Sequence, residues 1–321
     1  MHFIHDTLRR HAARRLAGTT LAALMLAGAL TACSRDAGVT PPKVATSQAA
    51  PQADTPAAPP VAPASAAVAP PVQPTAIARD DQRKHAWMTA IFGDAYDREK
   101  EQALAELEID GVLSDLLLTL VSATELPDGR IAIVVNGAQA DEHGADISGH
   151  ASSGILNVYV LGRENDAWAV AERREGLAEL GSMGNIGGIT WITLGTGKPG
   201  FIVSSGGVWQ GHWASGADIF ELGNGVRNLG SLQEGSGNGG ACSPDDECWE
   251  VDSEISVAAP AAPDGYADLL VDFKGKRYSY SEDKDGNKVE HLKETIGQRA
   301  RYRFDGKAYV LSSGTNPVPE I

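Results

Sequence analysis

The sequence predicts a mainly β protein whose head domain, residues 112–321, is built from three four-stranded antiparallel units preceded by short α-helices. Short apolar runs alternate with clusters of Gly, Pro, Asn and Asp, which is typical of strands joined by tight turns. The same order of runs and turns recurs. The apolar runs that begin at Ile131, Phe201 and Leu269 lie about 70 residues apart, which indicates an internal repeat.

The segment 79–111 precedes these units and predicts short helices. Trp87, Ala90 and Ile91 follow the i, i+3, i+4 spacing of an amphipathic helix. The Glu- and Ala-rich stretch 97–108 predicts a second helix, with two leucines on one side.

The N-terminus has the pattern of an export signal. Residues 1–15 contain four arginines, and residues 16–32 contain no charged residue and end in small residues before Cys33. A basic region, an apolar region and a small-residue cleavage site define a secretory signal peptide, which we place at residues 1–32. The apolar run is shorter than the roughly 20 residues that a membrane-spanning helix needs.

The sequence LTAC at residues 30–33 resembles the lipobox of bacterial lipoproteins. In that family the cysteine receives diacylglycerol, a peptidase cleaves before it, and the new amine is acylated, commonly with palmitate. The resemblance implies that Cys33 is lipidated and anchors the mature protein, because each buried CH₂ contributes about 0.8 kcal/mol. Ser34 follows it, which by resemblance to enterobacterial sorting favours the outer over the inner membrane, with the head in the periplasm or at the surface.

Residues 33–78 predict a disordered linker. They are dominated by Ala, Pro, Val, Ser and Gln and show neither a helical nor a strand period. Proline fixes φ and blocks a helix, so we expect an extended chain. At about 3.1 Å per residue it would reach on the order of 100 Å, which would hold the head well away from its membrane.

The composition argues against nucleic acid as a partner. The chain of 321 residues has a formal net charge of −15, and loss of a basic signal peptide makes the mature protein more acidic. An acidic surface repels nucleic acid and anionic lipid. Aromatic residues form only 6% of the chain, so its six tryptophans are informative positions.

Cys242 and Cys248 predict a disulfide bond. They lie close together in the segment CSPDDEC, and an exported protein folds in an oxidising compartment. Metal binding is disfavoured because this segment has no His and offers only carboxylates besides the two thiols.

The run from Asp264 to Val271 resembles the end of the calcium loop in FG-GAP/VCBS propeller repeats. The resemblance makes Asp264 and Asp268 candidate metal ligands. The two leading ligand positions are Pro260 and Ala262, which have no side-chain oxygen, so we expect the turn without the metal. Three units are fewer than the four to eight blades of a propeller, which leaves open a partial β-propeller-like assembly and a β-sandwich.

A second pattern that resembles a calcium loop lies at residues 283–294. Asp283 and Asp285 occupy the first and third positions of an EF-hand loop. Lys288 stands where that loop requires Gly, and the flanking sequences predict strands rather than helices. A hairpin turn is the better interpretation, and we predict neither a metal nor any other cofactor for the chain.

No catalytic residue can be nominated from the sequence. The stretch 195–200, GTGKPG, lacks the first Gly and the Ser or Thr of a phosphate-binding loop. Loop 141–150 holds two His and three carboxylates, but no helix or hairpin fixes their spacing, so we expect a solvated loop. The alternative is that this loop binds a metal ion in a hydrolase.

Loops between strands form the predicted binding surface, because binding residues concentrate on loops held by a rigid scaffold. The repeat topology predicts that loops 136–154, 206–217 and 274–299 gather on one face, together with the crossovers 172–188 and 231–250. The stretch WQGHW, residues 209–213, either binds a partner through its tryptophans or packs against the head. The candidate binding residues are His143, His150, Trp209, His212, Trp213, Tyr278 and Tyr280.

These features together predict a non-enzymatic, lipid-anchored binding module of the cell envelope that recognises a protein or cell-wall partner. Propeller-like lipoproteins of proteobacteria include inhibitors of toxins that attack the cell wall, so the resemblance implies an inhibitor- or immunity-like role. The alternatives are a metal-assisted hydrolase of envelope polymers and a purely structural envelope lipoprotein.

Overall fold

The structure is a computed structural model that describes residues 73–77, 82–259 and 265–321. All of these residues fall within the compact unit Ala64–Ile321. Within the described ranges, every helix is too short or too polar to cross a membrane.

One helix and fourteen strands follow each other along the described chain. The helix α1 spans Arg83–Phe92 and continues into a 3₁₀ turn at Gly93–Ala95. The strands are β1 (Tyr96–Asp97), β2 (Gln102–Ile109), β3 (Val112–Glu125), β4 (Ile131–Gln139), β5 (Gly154–Glu164), β6 (Ala167–Leu180), β7 (Gly188–Gly195), β8 (Lys198–Trp209), β9 (His212–Gly223), β10 (Gly225–Gly237), β11 (Cys248–Val257), β12 (Leu269–Glu282), β13 (Lys288–Phe304) and β14 (Tyr309–Ser313).

The strands form two antiparallel sheets in which neighbours in space are neighbours in sequence. The first sheet contains β1–β6 and the second contains β7–β14, each in chain order. Tight connections between antiparallel neighbours produce this meander, because each strand pairs with the one just completed. The prediction of a mainly β fold is confirmed.

The three predicted runs of four antiparallel strands are present, as a first unit (β3–β6), a second unit (β7–β10) and a third unit (β11–β14). They do not form three separate sheets. The second and third units are joined because Ser236 pairs with Val251 and Gly237 with Glu250, which makes β10 and β11 neighbours. Strands β1 and β2 extend the first unit to six strands.

The units pack face to face, because successive side chains of a strand point to opposite faces. On β4, Ile133 enters the core beneath α1, whereas Val134 enters a core shared with the second unit. On β8, Phe201 faces the first unit and Ile202 faces the third. The second unit therefore lies between the other two.

Both ends of this stack are covered or polar. The predicted first helix is confirmed as α1, which buries Trp87, Met88 and Ile91 against the first sheet. The outward face of the third unit is charged, with Arg299 donating to both carboxylate oxygens of Asp272 at 2.6 and 2.7 Å. Since neither end offers a bare apolar face, the units form an open stack, which agrees better with the predicted sandwich than with a ring.

The predicted second helix at 97–108 is wrong. Residues Gln102–Ile109 form β2, in which Leu107 and Ile109 are buried on one face at strand spacing. The turn Asp110–Gly111 has φ values of 49° and 81°, which suit a two-residue hairpin, and β2 pairs with β3 along its length. Pairing and burial override the helical preference of the Glu- and Ala-rich composition.

The described end of the predicted linker, residues 73–77, lies on the head. The Ile77 N–H donates to the carbonyl of Ala123 at 2.7 Å, and the Thr124 hydroxyl donates to the carbonyl of Thr75 at 3.0 Å. These residues therefore belong to the packed domain. The predicted signal peptide, the lipidated cysteine and the remaining linker lie outside the described residues.

Candidate functional site

The connections at one end of the strands form a continuous row across the three units, which we call the loop edge. Successive connections of an antiparallel meander alternate between the two ends of its sheet. The loop edge consists of loop 140–153, turn 181–187, hairpin tip 209–212, loop 238–247 and hairpin tip 283–287.

The stretches predicted to gather do lie side by side here, but their loops are shorter than predicted. Residues 206–217, for example, are strand except for two residues at the tip, and β12 and β13 occupy most of 274–299. The strands are longer than the apolar runs that signalled them, since their outer parts carry polar and glycine residues.

Backbone hydrogen bonds link the first two members of the row. The Gly184 N–H donates to the carbonyl of Ser152 at 2.8 Å, and the Asn136 side chain donates to the carbonyl of Gly184 at 2.8 Å. The Ser182 hydroxyl then donates to the carbonyl of Gly206 on β8 at 3.0 Å. Loop 140–153 is thereby held against turn 181–187, and that turn against the next hairpin.

The hairpin tip 209–212 is fastened to loop 238–247. Gln210 and Gly211 have φ values of 47° and 82°, the combination that a tight two-residue turn requires. A Cβ at Gly211 would lie 2.4 Å from the carbonyl carbon of Gly240, so only glycine permits this approach. The Gly240 N–H donates to the Gly211 carbonyl at 3.1 Å.

Loop 238–247 is closed by the predicted disulfide between Cys242 and Cys248, which is confirmed, with Cα atoms 5.7 Å apart. The Asn238 side chain spans the loop, because its Nδ2 donates to the Glu247 carbonyl at 3.0 Å and its Oδ1 accepts the Trp249 N–H at 2.8 Å. The loop is therefore rigid.

Three of the predicted binding aromatics act mainly in packing. Tyr280 is buried against the disulfide, and its hydroxyl donates to the Cys242 carbonyl at 2.8 Å. Trp213 is half-buried over Gly237, where a Cβ would lie 2.2 Å from the indole nitrogen. The ring of His212 lies 6.4 Å from that of Trp249. These side chains hold the loop edge together.

Other apolar side chains of the loop edge are open to solvent. Trp209 is 44% exposed, and Tyr278 is half-buried at the far end of the row. Ile147, Met183 and Val208 are exposed as well, and they are not among the residues predicted to bind. Each stands alone in a segment without hydrophobic period, so only the folded row brings these residues to one edge.

The loops of this edge are acidic. They contain one lysine and eight carboxylates, which leaves a net charge of −7. Glu247 is paired with Arg277 at 2.7 Å, and the remaining carboxylates lie on three of the five loops: Asp141, Glu142, Asp146, Asp245, Asp246, Asp283 and Asp285. Exposed apolar groups between such carboxylates suit a partner that is apolar at its centre and basic around it.

His143 and His150 lie exposed on loop 140–153. Asp141 orders this loop by accepting the backbone N–H of His143 at 2.9 Å, and Nε2 of His143 lies 3.7 Å from the carboxylate of Glu142. Among the described residues, no three His, Cys, Asp or Glu side chains are arranged as a metal site would require.

Asp268 is engaged by arginines. Arg301 donates to its carboxylate at 2.9 Å and Arg303 at 3.3 Å. Burial acts to raise the pKa of Asp268, but the two guanidinium groups outweigh it and hold the pKa below its ordinary value. Asp264 lies outside the described residues.

Asp283 and Asp285 lie at a hairpin tip, as the sequence predicted, because strands β12 and β13 flank them. The Asn287 N–H donates to Asp283 at 2.9 Å, and the hydrogen bonds from Asn287 lower the pKa of Asp283. Asp285 is exposed.

Replacing Cys242 and Cys248 together with serine is expected to lower the free energy of unfolding by about 2 kcal/mol, since the unfolded chain then regains the freedom of a small closed loop. Urea unfolding of the double variant measures this change. The matched control is Ser243→Ala within the same loop, which should stay within about 0.5 kcal/mol. Equal stability of the double variant and the wild type would contradict the structural role of the bond.

Comparisons of the chain with protein-family models, with curated proteins and with solved structures find no match to any of them. No family, relative or known fold therefore points to a catalytic activity.

Proposed function

We propose that this chain is a lipid-anchored binding module of the cell envelope that recognises a protein partner through its loop edge. The observation that supports this most is the row of neighbouring loops in the loop edge, in which exposed apolar side chains lie beside three loops that carry carboxylates. Interfaces of this kind combine aromatic anchors with a charged rim.

The rigidity of the loop edge supports binding as its role. The contacts of Gly211 with Gly240, the disulfide and the Asn238 hydrogen bonds hold the loops in one arrangement before any partner arrives. Binding then loses little conformational entropy, which favours affinity.

The charge of the loop edge defines the class of partner. A net charge of −7 on the loops favours a protein with a basic surface and disfavours nucleic acid. We propose an inhibitor- or immunity-like role, in which the module acts by covering its partner, and we propose that it is not an enzyme.

The anchor is proposed from the sequence, because Cys33 lies outside the described residues. Acylation of Cys33 would place the head in the periplasm or at the surface, attached to the outer membrane in preference to the inner one. The linker up to residue 72 would then set the distance between that membrane and the loop edge.

Replacing Trp209 with alanine is expected to weaken partner binding by about 2 kcal/mol, roughly thirtyfold in Kd, with little change in stability. Trp209 is exposed, so its removal leaves no cavity in the core. The partner captured from solubilised envelope by the wild type is purified and titrated against each variant. Capture should also fall as the salt concentration rises, since salt screens an acidic edge from a basic partner.

The matched control for this experiment is Leu311→Ala. Leu311 is 47% exposed on β14, which pairs with the end of β13 that lies away from the loop edge. This variant should bind like the wild type. If Trp209→Ala captures the same proteins as strongly as the wild type does, the loop edge is not the binding surface.

A further inference from the structure

A pocket lies at the opposite end of the strands from the loop edge. It has a volume of about 470 Å³ and is bounded by the connections after β3, β7 and β9 together with part of β6. Its lining comes from both sheets. The first sheet and its turns contribute Leu126, Pro127, Asp128, Arg130, Val158, Val160, Glu172 and Arg174, and the second contributes Gly197, Pro199 and residues 222–226. A volume of this size is in the range of small-molecule sites.

The floor of the pocket is apolar. Leu126, Val158, Val160 and Leu222 line it, and all four are buried members of the core between the first and second units. The pocket therefore opens directly onto the contact between the two sheets. An apolar ligand group of modest size would replace water on these aliphatic side chains, which is favourable by the hydrophobic effect.

One side of the pocket rim carries three linked charged groups, one guanidinium and two carboxylates, whose charges sum to −1. Nε of Arg130 donates to Asp128 at 2.7 Å, and its Nη1 donates to Glu172 at 3.2 Å. Both carboxylates thus bind the Arg130 guanidinium, and its single positive charge is already shared between them.

The other side of the rim carries Arg174, whose guanidinium has no carboxylate partner among the described residues. Its Nη1 donates to the carbonyl of Arg173 at 3.2 Å, and no carboxylate of the described residues forms an ion pair with it. The guanidinium lies against the turn at Gly225, where φ is 103° and a Cβ would lie 3.3 Å from both Nε and Nη2 of Arg174. Glycine at this position lets the guanidinium remain at the mouth of the pocket.

We propose that this pocket binds a small monoanion with an apolar body, whose anionic head pairs with Arg174 and whose body covers the aliphatic floor. The four charges of the rim, those of Asp128, Arg130, Glu172 and Arg174, sum to zero. One added negative charge is tolerated at the Arg174 side, whereas a dianion would repel the carboxylates at the other side. A guanidinium offers paired donors that match a carboxylate or a sulfonate.

The test uses two fluorescent probes that differ in one charge: anilinonaphthalene sulfonate, an apolar monoanion, and phenylnaphthylamine, the same ring system without the sulfonate. Each is titrated into the full mature chain carrying Cys33→Ser, so that no acyl group binds the dye. We expect saturable binding of one anionic probe per chain, and roughly tenfold weaker binding of the neutral probe, because the ion pair with Arg174 is absent.

Two variants and a control decide the outcome. Arg174→Gln should weaken the anionic probe about tenfold and leave the neutral probe within about twofold. Val226→Trp, at a half-buried lining position, should fill the pocket and prevent binding of both probes. Lys274→Gln removes an exposed positive charge on the third unit and should change neither.

Circular dichroism and the thermal midpoint establish that each variant is folded. Undiminished binding of the anionic probe to Arg174→Gln would overturn the proposed role of the arginine. Undiminished binding of both probes to folded Val226→Trp would show that they bind elsewhere and would overturn the pocket itself.

Discussion

Replacing Phe201 with alanine is expected to lower the free energy of unfolding by about 3–5 kcal/mol, the range for removing a fully buried aromatic side chain. Phe201 is 0% exposed in the core between the first and second units. Its ring stacks on Phe220 with centroids 5.0 Å apart and meets Trp191 edge-on at 5.5 Å. A cavity here would separate the two sheets from each other as well as weaken one of them.

Equilibrium unfolding in urea measures the effect, with the midpoint and the slope fitted together. The matched control is Val208→Ala, on the same strand but 57% exposed, which should change stability by no more than about 0.5 kcal/mol. Similar losses for the two variants would show that β8 does not place Phe201 between the sheets. A single transition in the wild type is also expected, because one core joins the two sheets.

Strand pairing was predictable because its signals are local. Turn residues stand between short apolar runs throughout residues 112–321, and the runs at Ile131, Phe201 and Leu269 form the N-terminal parts of β4, β8 and β12. Tight turns join neighbours in antiparallel fashion whatever the rest of the chain does. The internal repeat of about 70 residues rests on the spacing of these runs alone and stays a prediction.

The joining of the second and third units was not predictable. It depends on two residue pairs, Ser236 with Val251 and Gly237 with Glu250, contributed by a stretch rich in Gly and Ser that has no strand period. The helix prediction for residues 97–108 is wrong for the converse reason. There the local preference for helix is overridden by the pairing of β2 with β3.

The aromatic stretch 209–213 shows why a site is harder to predict than a fold. Trp209 and Trp213 have equivalent sequence surroundings, yet Trp213 packs on Gly235 and Gly237 while Trp209 remains 44% exposed. The difference lies in what stands opposite, more than 20 residues along the chain. The pocket opposite the loop edge is hard to predict for the same reason, because the turns that enclose it come from both sheets and are distant in sequence.

The proposed interface and the proposed pocket lie at opposite ends of the strands, and one physical reason accounts for the difference between them. Connections alternate between the ends, so the loop edge includes the long loops 140–153 and 238–247, whereas the connections after β7 and β9, which border the pocket, are tight turns. Long loops present a broad surface, which suits a protein. Tight turns leave the space between the sheets open, which suits a small molecule. The two proposed sites therefore share no residue.

Removing the acyl anchor is expected to release the protein completely from the membrane. Two or three acyl chains of about 16 carbons, at about 0.8 kcal/mol per buried CH₂, contribute far more than any contact of an acidic head with an anionic surface. With Cys33→Ala, incorporation of labelled palmitate should fall to background. The chain beginning at Ser34, carried behind a conventional cleavable signal, should be found in the soluble envelope fraction.

The control for this experiment is Cys242→Ser together with Cys248→Ser, which leaves Cys33 in place. That variant should incorporate palmitate and remain with the membrane like the wild type, because the proposed acylation site is Cys33 in the LTAC sequence, which the variant leaves unchanged. Palmitate on Cys33→Ala would show acylation at another residue and would contradict the proposed anchor. Membrane retention of the chain that begins at Ser34 would mean that the head itself holds the membrane. The loop edge would then face lipid rather than a protein, and its net charge of −7 makes that the less favourable arrangement.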